Sequence, residues 1–153
     1  MITAAILFVH LAAFAAYLGS GFAQTQFMKL SARAGAAPAV RDEYERLAAM
    51  VVTKIEVPAL FTSIASGIVF ISQNPALMKQ GWLHGKLTVV LLLAVLSHLE
   101  MFNARKIVRA RASGATSADE EIAGRKRRHA AFGGVGALLV VVLLVLVTFV
   151  RLG

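Results

Sequence analysis

The chain has 153 residues, 58% of them hydrophobic, no cysteine, and 16 Lys or Arg against 8 Asp or Glu, for a formal net charge of +8. Soluble domains are usually about 45–50% apolar, so this composition excludes an ordinary soluble domain and fits a small polytopic membrane protein. The absence of cysteine excludes disulfides, thiolate metal sites and Fe–S clusters, and the lack of a nucleotide motif, an HExxH or a Ser/His/Asp arrangement argues against ATP use and hydrolysis.

Four segments are long and apolar enough to cross a hydrocarbon core about 30 Å thick: Ile2 to Met28, Leu47 to Ser72, Trp82 to Phe102 and Ala130 to Leu152. The first has no Lys or Arg ahead of it and is longer than the apolar region of a signal peptide, so it reads as a retained helix. Ala5, Ala12, Ala16, Gly19 and Ala23 fall near one side of it, a surface that a second helix or a flat ligand can approach closely. Gly35 and Pro38 then interrupt the chain, and Pro38 suits a first helical position, so the second helix is expected over 39–72 with an amphipathic start, VRDEYERL. Pro58 lies inside it and is expected to kink it; Asn74-Pro75 ends it.

The third helix is expected over 82–111, continuing as ARKIVRAR until Ser113-Gly114 breaks it. Ser117 with Glu120 fits a capping box, so the fourth is expected over 118–152. The expected fold is all-α: a single four-transmembrane-helix domain over residues 1–153.

Basic residues cluster at Lys29, Arg33, Arg41 and Arg46 around the first connection, and from Arg105 to Arg111 and Arg125 to Arg128 around the third. The second connection carries only Lys79 and Lys86, and the C-terminus Arg151. The positive-inside rule then puts loops 1–2 and 3–4 in the cytoplasm and both termini outside, in a bacterial-type inner membrane. The basic excess is a topology signal with anionic lipid as partner, and nucleic acid is not expected.

The candidate chemistry lies in the ionisable residues of the spans, which are expensive in a bilayer and are functional candidates by default. His84 and His98 stand fourteen residues apart on the third helix, about 21 Å in rise and within roughly 40° in direction, so they share a face at two depths. His10, about 13 Å in from the outer end of the first helix, pairs best with His84 in the outer half; the alternative for His10 is a packing histidine bonded to a carbonyl. His98 suggests a second site with His129, which after RKRR reads as a solvated or headgroup residue. Glu56 is expected near the height of His10, as a partner for a histidine N–H or a proton relay; the alternative is a structural ion pair among Lys54, Glu56 and Glu100. Met28, Met50 and Met101 read as packing residues, with thioether ligation as the alternative.

The block Trp82-Leu83-His84-x-Lys86-Leu87, with a second His at the far end of its helix and His10 ahead of Tyr17 and Gly19 to Phe22, resembles the HemJ-like family of four-helix membrane proteins, the cofactor-associated protoporphyrinogen IX oxidases. The resemblance implies haem b, porphyrin biosynthesis and oxidation of a tetrapyrrole substrate, with His10 and Lys86 catalytic and with His10, His84 and Lys86 around the cofactor. Where that family carries a Pro-Arg pair after the first helix, this chain has Thr25-Gln26. His10 and His84 are the expected metal ligands and Lys86 the cation for propionates, with Glu56 and His98 added to the cofactor-binding set. The leading expectation is a haem-b-binding redox protein that oxidises protoporphyrinogen IX or carries electrons to a membrane acceptor. The alternatives are a copper or small-solute membrane protein using the same histidines, and a non-catalytic accessory subunit of a larger membrane complex; the expected partners include a homo-oligomer or such a complex.

Overall fold

The computed structural model describes residues 2–114 and 118–150. Among these there is no strand, and four long helices carry the chain back and forth. The first span is α1 (Ile2–Ser31). The second is built from α2 (Pro38–Val51), a π-helical turn (Val52–Glu56) and α3 (Val57–Gln73). A short 3₁₀ turn (Pro75–Lys79) leads into the third span, α4 (Gly81–Ser113). The fourth is α5 (Ala118–Val145), ending in a second π turn (Leu146–Val150). All four are long and apolar enough to cross a membrane.

The local causes are those expected from the residues. Gly35 takes φ 78° in the first connection, and Pro38 opens α2 at its first turn, where a missing N–H costs no hydrogen bond. Asn74 leaves helical geometry at φ −140°, ψ 78°, and Gly114 caps α4 in the left-handed region at φ 62°, the conformation glycine adopts without strain. Ser117 lies outside the described residues, and α5 begins at Ala118.

Pro58 acts differently from a simple kink. Proline cannot donate to the carbonyl four residues back, and the turn before it widens, with the Val57 N–H bonding the carbonyl of Val52. The widened turn shifts the facing of every later residue in that span, and Glu56 closes it, 2% exposed.

The spans pack as two hairpins: α1 lies along α2 and α3, and α4 lies along α5. The hairpins meet chiefly through α2 and the π turn on α4, the first and fourth spans touch lightly, and α1 and α4 sit on the diagonal without backbone contact among the described residues. Two apolar layers and a smaller cluster of Val52, Val57 and Ala104 hold the bundle. One, at the end bearing the basic connections, joins Met28, Ala48, Ile107 and Ile122, which fixes Met28 as a packing residue. The other, in the far half, joins Val89, Leu93 and Leu143 with Phe14 and Leu139. Between them lies a layer of polar side chains.

Candidate functional site

The polar layer is assembled from all four spans. Tyr17 and Gln24 come from α1, Glu56 from the π turn, Ser97 and Glu100 from α4, and Gly133 from α5, and the five side chains are all buried. Gln24 Nε2 donates to Glu100 Oε2 at 3.1 Å, and Tyr17 Oη meets Ser97 Oγ at 3.4 Å. Both contacts cross the diagonal of the bundle. Ser97 and Gln24 also flank the Glu56 carboxyl, and the two carboxyls are close enough for the charge of one to act on the other. Small residues make the room: a methyl group on Gly21 would stand 3.8 Å from Glu56 Oε2, and one on Gly133 would stand 3.7 Å from Glu100 Oε1.

Several atoms here are left over. Gln24 Oε1, Glu56 Oε2, Glu100 Oε1 and both ring nitrogens of His129 are buried without a hydrogen-bond partner among the described residues. His129 is 2% exposed, which corrects the expectation of a solvated or headgroup histidine. It sits one helical turn before Gly133, and the arginines just ahead of it in sequence turn outward while it turns in. The ion pair expected among Lys54, Glu56 and Glu100 does not form; Lys54 is exposed, and no ion pair among the described residues reaches either carboxyl. Glu56 faces Gly21 and Gln24, roughly 16 Å along α1 from His10, so the structure does not bring Glu56 and His10 together.

The remaining histidines occupy separate places. His10 Nδ1–H donates to the carbonyl of Ser63 at 2.8 Å, with Ser66 Oγ at 3.1 Å. Its ring lies over Gly67, where an added Cβ would meet Cε1 at 3.5 Å, and edge-on to Phe70. The charge of Lys86 acts on it from the third span. Beside it runs an open apolar groove walled by Ala5, Val9, Ala65, Ser66 and Val69. His84 is exposed and donates Nε2–H to the Met78 carbonyl at 2.9 Å. His98 donates Nδ1–H to the Ala94 carbonyl at 2.7 Å, with Phe61 edge-on to its ring. No hydrogen bond or ring contact among the described residues joins His10 to His84 or His98 to His129, and no three His, Asp or Glu side chains among them converge as a metal ion requires.

At the basic end the structure adds a site that the amphipathic pattern of α2 hid. Glu45, 1% exposed, accepts from Arg111 Nε at 3.1 Å and Nη2 at 3.0 Å, and pairs with Lys126 Nζ at 2.7 Å. Lys126 also donates to the Ser31 carbonyl at 3.1 Å, and Arg111 reaches Asp42 and Asp119. All four spans are tied there. The sequence signal was available: Glu45 is the acidic position of α2 in helical phase with the apolar positions Ala48 and Val52.

Residues 4–152 match the family model described as "Predicted integral membrane protein (DUF2269)". The chain belongs to that family. The match spans nearly the whole chain and agrees with four membrane-crossing helices. No curated protein and no solved structure matches the chain.

Proposed function

We propose that this DUF2269 protein is a membrane redox protein that holds a b-type haem or a related tetrapyrrole at His10, lying in a bacterial-type plasma membrane with loops 1–2 and 3–4 in the cytoplasm. The observation that carries the reading is the setting of the His10 ring. A histidine ligand donates one ring N–H to a carbonyl or carboxylate and offers the other nitrogen's lone pair; the Nδ1–H bond to Ser63 fixes that tautomer and leaves Nε2 as the lone-pair nitrogen.

The surroundings suit a flat apolar ligand. The groove beside His10 is walled mostly by small and β-branched aliphatic side chains and shares Ser66 with the histidine's own hydrogen bonds. Lys86, whose charge acts at this height, supplies a cation for propionate groups. A bound haem would contribute one-electron chemistry; the chain's own part is to orient the imidazole, exclude water and balance charge. His84 likewise donates one ring N–H to a carbonyl and keeps Nδ1 as its lone-pair nitrogen, but it is exposed and does not line the groove. The likeness of the Trp82 to Leu87 block to HemJ-like proteins adds oxidation of protoporphyrinogen, or electron transfer, as the reaction to test.

A second reading is favoured by the outer faces of the first and fourth spans. Only 6% of the membrane window of each is buried, against 28% and 33% in the second and third, and Ala12, Ala16 and Gly19 face outward. Such faces suit docking as a subunit of a larger membrane complex.

The test is a dithionite-reduced minus oxidised absorption spectrum of detergent-purified protein expressed with ample haem. A b-type Soret and α band in the wild type, lost in His10→Ala and retained in His98→Ala, is the expected result. A colourless wild type sinks the haem reading and leaves the subunit role, which stoichiometric copurification with partners then decides.

A further inference from the structure

The buried carboxyls of the polar layer are not needed by a ligand at His10, roughly 16 Å away along α1, and they pose their own problem. Glu56 and Glu100 are 2% and 5% exposed, sealed between the two apolar layers. Taking even one carboxylate out of water costs several kcal/mol unless a cation or enough donors meet it. Here the donors are too few. Glu100 receives Gln24, Glu56 has Ser97 and Gln24 beside it, and each carboxyl keeps an oxygen with no partner.

The titratable groups of the layer make the same point: Tyr17 of the first span, on which both carboxyls act, Glu56 of the second and Glu100 of the third, while His129 of the fourth is buried one turn from Gly133. No Lys or Arg makes an ion pair with either carboxyl among the described residues. No three His, Asp or Glu side chains converge among the described residues, which disfavours a divalent cation there, since it needs several close ligands. A proton needs only one oxygen and a neighbour to share it. Gln24 Oε1, buried and unpartnered, supplies an acceptor on a side chain already bonded to Glu100.

We propose that Glu56, Glu100 and Gln24, one side chain from each of the first three spans, form a proton-binding site inside the bundle. In the binding step a hydronium ion gives its proton to a carboxylate oxygen, releasing water and leaving a neutral carboxyl that donates to its unpartnered neighbour; release is the reverse. No redox partner enters, and the site is independent of whether His10 carries a tetrapyrrole. Intramembrane carboxyl groups serve as proton carriers in pumps and transporters.

The experiment is infrared difference spectroscopy of the purified full chain in detergent, stepped from about pH 9 to about pH 5 in H₂O and D₂O. The window of interest is above about pH 6, where ordinary carboxyls are ionised. The expected wild-type result is a protonated-carboxyl C=O band that grows as pH falls through that window and shifts in D₂O. It loses about half its intensity in Glu56→Gln or Glu100→Gln and all of it in the double variant. A band unchanged in the double variant overturns the proposal, as does a wild-type band that responds to neither pH nor D₂O. A wild-type band abolished by Na⁺ at constant pH replaces the proton with a monovalent cation. The wild-type arms decide the matter even where a Gln variant fails to fold.

Discussion

Gln24 on the first span donates across the diagonal of the bundle to Glu100 on the third at 3.1 Å, although the backbones of those two helices do not meet among the described residues. Side chains alone therefore make that link. It is reinforced one level out by Tyr17 and Ser97, so the two hairpins are registered against each other by polar contacts inside an otherwise apolar interior. Interhelical hydrogen bonds in membranes contribute about 0.6 kcal/mol on average and rarely above about 1.7, but a buried group left unpartnered costs about 1–3.

Gln24→Leu strips Glu100 of its donor and is expected to destabilise the bundle by about 2 kcal/mol. Tyr17→Phe removes only the longer contact at 3.4 Å and is expected to cost under about 1 kcal/mol. Denaturant titration in mixed micelles measures both, and the reverse ranking would show that the diagonal bond does not register the hairpins.

Arg111 should prove the least replaceable residue of the basic end. Its planar fork grips both oxygens of buried Glu45, a geometry an ammonium does not reproduce. Arg111→Met strips that fork from the Glu45 carboxylate and is expected to cost about 3 kcal/mol, with Arg111→Lys recovering only part. Glu45→Met combined with Arg111→Met should regain most of the loss, since a buried pair replaced by apolar side chains is often neutral. The double-mutant comparison is made on thermal midpoints in one detergent; a double variant as unstable as Arg111→Met alone argues that the knot's worth lies elsewhere, in Lys126 or Asp119.

What was legible in the sequence was whatever depends on local chemistry. Apolar runs, Pro38, Asn74-Pro75 and Gly114 act within a few residues of themselves, and the helices observed at 2–31, 38–73, 81–113 and 118–150 follow from them. The facing of Glu56 was not legible to the same degree, because the π turn before Pro58 shifts helical phase and a constant 100° per residue carries the wrong angle past it. Heights compared between helices by counting from their ends also failed, since α2 begins well before the apolar run and sets Glu56 against Gln24 instead of His10. His129 was hidden by its neighbours: four basic residues in a row suggest solvent, yet a helix turns successive residues about 100° apart, so His129 and Lys126 turn inward while Arg127 and Arg128 face out.

Gly67 offers a steric dial on His10. A methyl group there meets the ring at an ordinary 3.5 Å, so Gly67→Ala should leave stability and any haem absorbance unchanged. Gly67→Leu has no room beneath the imidazole and should displace it from Ser63, with loss of the haem bands and a cost of about 1–3 kcal/mol from overpacking. Absorbance and thermal midpoint, read on the same samples, separate a lost ligand from a lost fold. Bands that survive Gly67→Leu with the midpoint unchanged would place the cofactor away from His10.

The absence of cysteine makes orientation directly measurable, since any thiol introduced is the sole target for a maleimide. Ala37, just before α2, and Gln80, just before α4, are both exposed, and Gln80 makes no side-chain cap bond, so Cys at either position should leave the fold intact. Basic residues are retained on the cytoplasmic side, and the flanks of the first and third connections hold 12 of the 16 in this chain. Gln80→Cys is therefore expected to react with a membrane-impermeant maleimide in intact spheroplasts, and Ala37→Cys only after permeabilisation. The opposite pattern would invert the bundle, putting the His10 groove in the half next to the cytoplasm and the Glu45 knot outside. Labelling of both in intact spheroplasts would mean two orientations, which an asymmetry of charge as large as this one should not permit.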